Sequence, residues 1–349
     1  MRREVSDNAA VYVLIAGIFA LAFAVSLQFG DSVFPHLGGY ALRVFKALIV
    51  VAAAGLVGTG IVALLQKDEP SPLRYMARRY RSFVVTHGPG IVFSFAVLAA
   101  FMAAFLYFKM KIPVLNPFDW DQTLASWDRA LFLGHDAWQV LHPVVGYGPV
   151  TRAIDFAYML WVPLVFIFWG WTFVDGRVER RLRQRYWLAT ILIWIVGGIG
   201  LAMLFSSAGP CYYPAITGID DPSYADLMAY LQALNASSPI QALEMQAFLW
   251  DSYTGRDGEP GGISAAPSLH NAQAVLFALA AYRFNRRFGH AMAAFAVVIF
   301  VGSVHLGWHY AVDGIMGAAI AVAAWYAVGY FSARSRAEGP ALALPAKTR

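Results

Sequence analysis

The stretch GGISAAPSLHNAQ, residues 261–273, places a histidine one turn into a segment that stays apolar to about residue 284. A second stretch, WHYAVDG at residues 308–314, opens the last hydrophobic segment of the chain in the same way. Ionisable side chains are costly inside a membrane segment, so they usually face a polar cavity and carry function. His270, His309 and Asp313 are therefore the first candidates for a functional site.

The composition around these motifs predicts an integral membrane protein. Of the 349 residues, 59% are hydrophobic and 13% are charged, which is more apolar than a soluble domain. Crossing the bilayer core takes roughly 20 mostly apolar residues. We predict an all-α, polytopic protein with eight transmembrane helices, near residues 11–29, 46–66, 89–109, 153–174, 187–207, 267–284, 290–306 and 309–331.

The first of these segments follows Arg2 and Arg3 and has small residues near its end, so a signal peptide is the alternative to a retained anchor. It is long for the apolar region of a signal peptide, and we interpret it as an anchor. The single cysteine, Cys211, cannot form a disulfide within the chain, so cysteine usage says nothing about the compartment.

The distribution of basic residues predicts the orientation in the membrane, because short cytoplasmic loops collect Lys and Arg. With the N-terminus inside, 19 of the 26 Lys and Arg residues fall in inner segments and 7 in outer ones. We therefore expect cytoplasmic N- and C-termini, a bacterial inner (plasma) membrane and an extracytoplasmic active site. Membrane-facing loops also account for the net charge of +5, so we expect no nucleic-acid partner.

Two long segments lie outside in this topology. Residues 110–152 carry Leu124 and Trp127 at helical spacing among acidic residues, which predicts an amphipathic helix in the outer interface, with an ordinary loop helix as the alternative. Residues 208–266 begin GPCYYP and contain two predicted helices, near residues 223–234 and 239–252. A connection of that length is usually a lid or a binding element, so we predict an extracytoplasmic lid loop.

The start of the sixth span is predicted to bind an anion. Pro267 suits the first position of a helix, and Ser268, Leu269 and His270 would then fill the first turn. The free backbone N–H groups of that turn and the positive end of the helix dipole favour a phosphate.

The start of the eighth span supplies a histidine and a carboxylate. His309 and Asp313 are four residues apart, so on a helix they share a face within hydrogen-bonding reach. That contact would fix the tautomer and leave the other ring nitrogen as a nucleophile or base. His305 is either a helper or a histidine at the polar boundary. A metal site of His305, His309 and Asp313 is the alternative. Membrane hydroxylases bind their metals with several histidine-rich motifs, and the remaining histidines of this chain form no such motif, which argues against it.

The motifs PSLH and HYAVD resemble the second and third signature motifs of the phosphatidic acid phosphatase type 2 superfamily, and most closely its inositol phosphorylceramide synthase-like (inositolphosphotransferase) branch. The resemblance covers about residues 89–331, as a six-helix catalytic core. It implies two additional transmembrane helices in residues 1–88 and a cytoplasmic tail at residues 332–349.

The resemblance also implies a role for each motif residue. His309 would attack phosphorus to form a phosphohistidine, and Asp313 would orient it. His270 would protonate the leaving oxygen and later deprotonate the acceptor. Ser268 and the neighbouring N–H groups would hold phosphate oxygens, and the chemistry would need no metal and no cofactor.

Three departures from the common phosphatases favour a different substrate. Their first motif is Lys, six residues and Arg-Pro, and this chain has no Arg-Pro dipeptide. Ser303 stands where their third motif has an arginine, and Leu269 where their second motif has a glycine. We expect Ser268, Leu269 and Ser303 at the phosphate, with less positive charge to hold a dianion. Further substrate contacts are predicted for a set of residues outside the motifs: Lys111, Arg152, Cys211, Tyr212, Arg256 and His305.

The sequence therefore predicts a membrane lipid phosphotransferase that moves a phospho-headgroup from an outer-leaflet phospholipid to a lipid or alcohol acceptor. A lipid phosphate phosphatase, acting on phosphatidic acid, phosphatidylglycerophosphate or polyprenyl diphosphate, is the alternative. A transporter would need charges deep within several spans, whereas these lie near the ends of two. No motif names the donor, the acceptor or the oligomeric state.

Overall fold

The computed structural model describes residues 8–65, 71–174, 178–256 and 261–337. Within these ranges the regular structure is entirely helical and contains no strand, which confirms the predicted all-α class. Apart from a three-residue turn at Pro210–Tyr212, the helices are α1 (Ala9–Phe29), α2 (Phe34–Leu65), α3 (Pro72–Leu115), α4 (Asp121–Leu131), α5 (Ala137–Val145), α6 (Gly148–Met159), α7 (Trp161–Val174), α8 (Arg180–Leu204), α9 (Tyr213–Thr217), α10 (Pro222–Asn235), α11 (Gln241–Thr254), α12 (Leu269–Phe284), α13 (Arg286–His305) and α14 (Ala311–Ala337).

Several of these helices are long and apolar enough to cross a membrane, which makes the chain an integral membrane protein. In the described part of the chain there are six such stretches: Ala9–Phe29, Leu73–Leu115, Gly148–Thr172, Arg180–Leu204, Arg286–His305 and Ala311–Arg334. The other two predicted spans are also helical, as α2 and α12. With 16 residues, α12 is shorter than the roughly 20 that a full crossing takes.

The third predicted span is part of a much longer helix. Helix α3 has 44 residues and a proline, Pro72, at its first position, and at 1.5 Å per residue it extends about 66 Å, twice the hydrocarbon thickness. The basic run MARRYR, residues 76–81, therefore lies on the first turns of a helix and not in one of the membrane-facing loops expected for the basic residues. At its other end the helix continues past Lys109 to Leu115.

Helix α12 lies at the centre of the bundle. It contacts α13 and α14 along its length and also packs against α7 and α8. Ala272, Ala274, Ala280 and Ala281 are all buried, and such small side chains let neighbouring helices approach closely. This enclosure fixes the depth and direction of the helix that begins beside His270.

The N-terminal helices pack on the outside of this bundle. Helix α1 contacts α3 and α8, and α2 contacts α3. At the other end of the chain, α14 continues to Ala337, so the first residues of the predicted tail are helical, and residues 338–349 lie outside the described residues.

The connections at the His270 end of the bundle are mostly helical. Helices α10 and α11 confirm the two helices predicted within residues 208–266. The amphipathic helix is present as α4, with Leu124 fully buried against the protein and Trp127 exposed. The acidic Asp121 and Asp128 are buried as well, because this face of α4 packs against the end of the bundle.

Candidate active site

The two motif histidines meet at one end of the bundle. His270 lies in the first turn of α12, and His309 lies two residues before α14 begins. Their ring centroids are 5.8 Å apart. At this separation both imidazoles can contact one small ligand, and the structure thus brings together the residues singled out from the sequence.

The helix start at His270 differs in detail from the prediction. Ser268 caps α12, its hydroxyl accepting the backbone N–H of Asn271, and Leu269 is the first helical residue. Pro267 therefore precedes the cap and does not occupy the first helical position. A side-chain cap satisfies only part of the unpaired N–H groups of the first turn, so the others remain available at this end of the helix.

Aromatic side chains hold His270 from one side. Tyr158 stacks on its ring at 4.8 Å and 23°, and Trp161 lies 4.3 Å away at 41°. The indole N–H of Trp161 also donates a hydrogen bond to the His270 carbonyl, at 3.0 Å. These residues, contributed by α6 and α7, limit the orientations open to the imidazole.

His309 lies in a tight loop rather than on a helix. The Ser303 carbonyl accepts the backbone N–H groups of both Trp308 and His309, at 3.0 and 2.9 Å. Nδ1 of His309 is 3.6 Å from Oδ2 of Asp313, which is within ion-pair range but beyond a hydrogen bond. The predicted hydrogen bond between a helical pair is therefore wrong in this conformation, because α14 starts only at Ala311.

Asp313 instead joins the two motifs. Its carboxylate accepts the backbone N–H of Tyr310, at 3.1 Å, and its carbonyl accepts that of Ser268, at 3.0 Å. The side chain is fully buried, and its second oxygen has no hydrogen-bond partner. A small shift of His309 would pair the imidazole with this carboxylate.

Helix α4 supports the His309 loop with two carboxylates. Asp128 accepts the N–H groups of Ala311 and Val312, each at 2.9 Å, at the start of α14. Asp121 accepts the hydroxyl of Tyr310, at 3.0 Å. Burial raises the pKa of Asp128 to about 6 and also raises that of Asp121, while the donated hydrogen bonds act in the opposite direction.

The GPCYYP segment braces the same loop from another side. A Cβ on Gly209 would lie 2.5 Å from the Trp308 carbonyl oxygen, so only glycine permits this approach. The Cys211 N–H donates to the carbonyl of Gly307, whose φ of 75° suits glycine. Tyr212 is buried and donates its hydroxyl to the Gln246 carbonyl. Cys211 and Tyr212 thus support the loop in this conformation.

Ser303, at one of the three departures from the phosphatase motifs, forms neutral contacts. The Asn271 amide donates to the hydroxyls of Ser268 and Ser303, at 3.0 Å each, and Ser303 in turn donates to the Phe300 carbonyl. Ser303 therefore takes part in a buried polar network where the phosphatases have an arginine. No charge replaces that arginine at this position.

Leu269 fits because α8 provides space for it. A π-helical stretch, Ile193–Leu201, carries Gly197 and Gly198 opposite the leucine. A Cβ on Gly198 would lie 2.5 Å from a Leu269 methyl and 2.8 Å from Phe105. The bulky side chain in the second motif is thus matched by glycine on the neighbouring helix.

The basic residues predicted as substrate contacts are held elsewhere. Lys111 pairs with Asp31, Arg152 donates to the Ser237 hydroxyl, and Arg256 is exposed beside Asp251. None of these contacts includes a motif residue.

His305 also belongs to a separate cluster. Its Nε2 lies 2.9 Å from the Thr151 hydroxyl, which in turn lies 2.7 Å from that of Tyr230. The ring of His142 packs nearby, at 6.0 Å. Among the described residues, no three His, Cys, Asp or Glu side chains converge as metal ligands, so His305 does not complete the alternative site with His309 and Asp313.

A lysine that the sequence interpretation passed over lies at the site. The charge of Lys109 on α3 acts on both His270 and His309, and it is half-buried, with no acidic partner in the described part of the chain. The sequence contained a signal for it, because Lys109 is followed by six residues and then Asn116-Pro117. This spacing matches the first phosphatase motif with asparagine in place of arginine.

Asn116 has a structural role at that position. Its side-chain amide donates to the Met203 backbone carbonyl, and its own backbone carbonyl accepts the Ser206 hydroxyl, both at 2.7 Å. These bonds tie the end of α3 to the end of α8. The site thus contains one nearby lysine, two imidazoles, one buried carboxylate and a helix N-terminus, a set able to bind an anionic phosphoryl group and move a proton.

Comparison with known proteins agrees with this geometry. The family model of the PAP2 superfamily matches residues 122–327, more than half of the chain, and this range includes both histidine motifs. No curated protein and no solved structure matches the chain. The chain belongs to the PAP2 superfamily.

Proposed function

We propose that this protein is a lipid phosphotransferase that passes a phospho-headgroup from a phospholipid to an alcohol through His309. Membership of the PAP2 superfamily supports lipid phosphatase or phosphotransferase activity in general. Support for transfer comes from the charge of the site. Lys109 acts on the histidine pair, whereas the two arginine positions of the phosphatase motifs hold neutral Asn116 and Ser303. A site with so little positive charge suits a monoanionic phosphodiester better than a dianionic monoester.

In the proposed first step, Nε2 of His309 attacks phosphorus as the bond from phosphorus to the diacylglycerol oxygen breaks. Protonated His270 gives its proton to that oxygen, and Asp313 stabilises the positive charge on the His309 ring. In the second step the acceptor hydroxyl attacks the phosphohistidine and releases His309. His270 takes the hydroxyl proton and returns to its starting state. Lys109 and the start of α12 would stabilise the charge on the phosphoryl oxygens.

The test uses the purified full-length protein in detergent, a phospholipid labelled at phosphorus, and a panel of lipid and small alcohol acceptors. We expect the label to appear on the alcohol and, after rapid quenching, as an acid-labile bond to protein. His309→Ala should lose both signals, whereas His135→Ala, which changes an exposed histidine outside the site, should retain them.

Three results would contradict parts of the proposal. Transfer of the label to water alone, with every acceptor present, would identify a phosphatase; the released product would be inorganic phosphate from a monoester donor and the phosphorylated headgroup from a diester donor. Full turnover by His309→Ala would exclude the assigned nucleophile. Activity lost in EDTA and restored by a divalent cation would exclude the metal-free chemistry.

A further inference from the structure

The hydroxyl of Tyr158 on α6 is buried beside the histidine pair without a hydrogen-bond partner. The side chain is 2% exposed, and its oxygen meets no donor or acceptor in the described part of the chain. Buried polar groups in native proteins are almost always paired, because an unpaired one costs the full free energy of its desolvation. The packing of the bundle therefore does not explain this hydroxyl.

The ring of Tyr158 lies next to His270 and next to the residue that precedes His309. It stacks on His270, with 4.8 Å between the ring centroids, and it lies parallel to the indole of Trp308, at 6.4 Å and 5°. On α13, Gly302 packs against the same ring, because a Cβ there would lie 3.1 Å from Cδ2 of Tyr158. Neighbours on three elements thus hold the ring in place.

Other unpartnered polar atoms belong to the same group of residues. They are the indole Nε1 of Trp308, Nδ1 of His309 and one carboxylate oxygen of Asp313, each of them buried. An indole N–H can only donate, and a tyrosine hydroxyl can donate, so both suit a ligand rich in acceptors. The oxygens of a phosphoryl group between His270 and His309, whose rings are 5.8 Å apart, are such acceptors.

We propose that the Tyr158 hydroxyl donates a hydrogen bond to a non-bridging oxygen of the phosphoryl group that His309 receives. This inference rests on the proposed function for the identity of the group. A neutral donor stabilises the charge on phosphoryl oxygens without adding a positive charge. It therefore suits a monoanionic diester at a site where Asn116 and Ser303 occupy the arginine positions of the phosphatase motifs. Tyr158 adds its contact to the stabilisation from Lys109 and the start of α12.

The test compares Tyr158→Phe with wild type in the purified full-length protein. The substitution removes the hydroxyl and keeps the ring that stacks on His270. Cleavage of the phosphorus-labelled phospholipid is counted whether the label passes to an alcohol or to water. Binding of orthovanadate, a phosphoryl mimic, is measured by tryptophan fluorescence. Tyr224→Phe is the matched control, because Tyr224 is 3% exposed and its hydroxyl has a partner, Asp136, at 3.0 Å.

We expect Tyr158→Phe to lower kcat/KM for cleavage at least tenfold and to weaken vanadate binding by a similar factor. Its thermal unfolding midpoint should equal or exceed that of wild type, because the variant no longer buries an unpaired hydroxyl. Tyr224→Phe should show the opposite pattern, with a lower midpoint and with wild-type cleavage and vanadate affinity.

The pH profile of kcat/KM should keep its shape in Tyr158→Phe, because a neutral donor to the substrate leaves the titration of the histidines unchanged. A profile displaced along the pH axis would show that Tyr158 acts through His270 and would overturn the substrate contact. Wild-type cleavage, wild-type vanadate affinity, or a midpoint that falls as in Tyr224→Phe would overturn it as well. A wild-type protein that passes the label to water alone would count against the proposed function, while the comparison of the two variants would still decide the role of Tyr158.

Discussion

At the scale of single residues, the site combines two imidazoles with little surrounding positive charge. Lys109 acts on both rings, while Asn116 and Ser303 bind backbone carbonyls at the positions where the phosphatase motifs carry arginines. A lone lysine is a compact point charge, whereas an arginine grips two phosphate oxygens at once. We therefore expect the protein to depend on Lys109 more strongly than a site with three cations would.

Replacing Lys109 should test this dependence. Lys109→Met keeps most of the side-chain volume and removes the charge, so we expect kcat/KM to fall by about 10²-fold or more, as for other electrostatic contacts to a reacting group. Lys46→Met on α2 is the control, because Lys46 is exposed and away from the site. Steady-state kinetics with the labelled donor would measure both variants. Equal activity of the two would remove Lys109 from the phosphate site.

The histidines were easier to find from the sequence than the lysine was, for a physical reason. An ionisable residue in an apolar segment is unusual, and His270 and His309 stood out on that ground alone. Lys109 lies at the predicted end of a span, where lysines commonly extend into the interface. In the structure α3 continues past Lys109 to Leu115, and the lysine packs against Gly262 in the segment before α12.

At the scale of elements, helix α4 supports the loop that carries His309. Asp128 accepts two backbone N–H groups at the start of α14, and Asp121 accepts the hydroxyl of Tyr310, the residue that follows His309. An acidic side chain at a helix N-terminus also interacts favourably with the helix dipole. The sequence pattern of α4 indicated amphipathicity, but it could not distinguish a face that binds lipid from one that binds protein.

Removing the Asp128 contact should loosen the loop that carries His309. Asp128→Ala leaves two backbone N–H groups without their partner, at a cost of about 1–2 kcal/mol. We expect a lower thermal unfolding midpoint and a lower kcat, with KM changed less. Asp119→Ala, an exposed acidic residue just before α4, should match wild type in both measurements. Unchanged kcat in Asp128→Ala would show that the loop holds its position without α4.

The pairing of α8 with α12 makes a second prediction at this scale. Gly198→Ala would place a methyl group 2.5 Å from Leu269 and should displace the start of α12, lowering both stability and activity. Leu269→Ala removes the obstructing methyls, so the double variant should recover part of the loss, with a coupling energy of about 0.5–3 kcal/mol. Gly200→Ala is the control, because its nearest contact is an ordinary 3.6 Å. Strictly additive effects on unfolding would contradict the pairing.

At the scale of the whole molecule, hydrophobicity predicted where the helices lie but not how each one meets the bilayer. All eight predicted spans are helical, yet α12 is short and enclosed, and α3 extends far beyond the apolar core. The shortness of α12 arises from packing, because a helix surrounded by other helices needs no full-length contact with lipid. The convergence of residues from α3, α12 and the loop before α14 likewise depends on long-range contacts that no local pattern contains.

Orientation is the remaining property of the whole molecule that the sequence predicts, and it decides on which side of the membrane the histidines react. Most basic residues fall in the segments assigned to the cytoplasm, which predicts the His270 end of the bundle outside. In a Cys211→Ala background, His135→Cys should react with a membrane-impermeant maleimide in intact cells, because His135 is exposed after α4. Arg287→Cys, exposed at the start of α13 at the opposite end of α12, should react only after the membrane is permeabilised. The reverse labelling pattern would place the phosphoryl chemistry at the cytoplasmic leaflet and would require cytoplasmic substrates, even though the geometry of the site would stay the same.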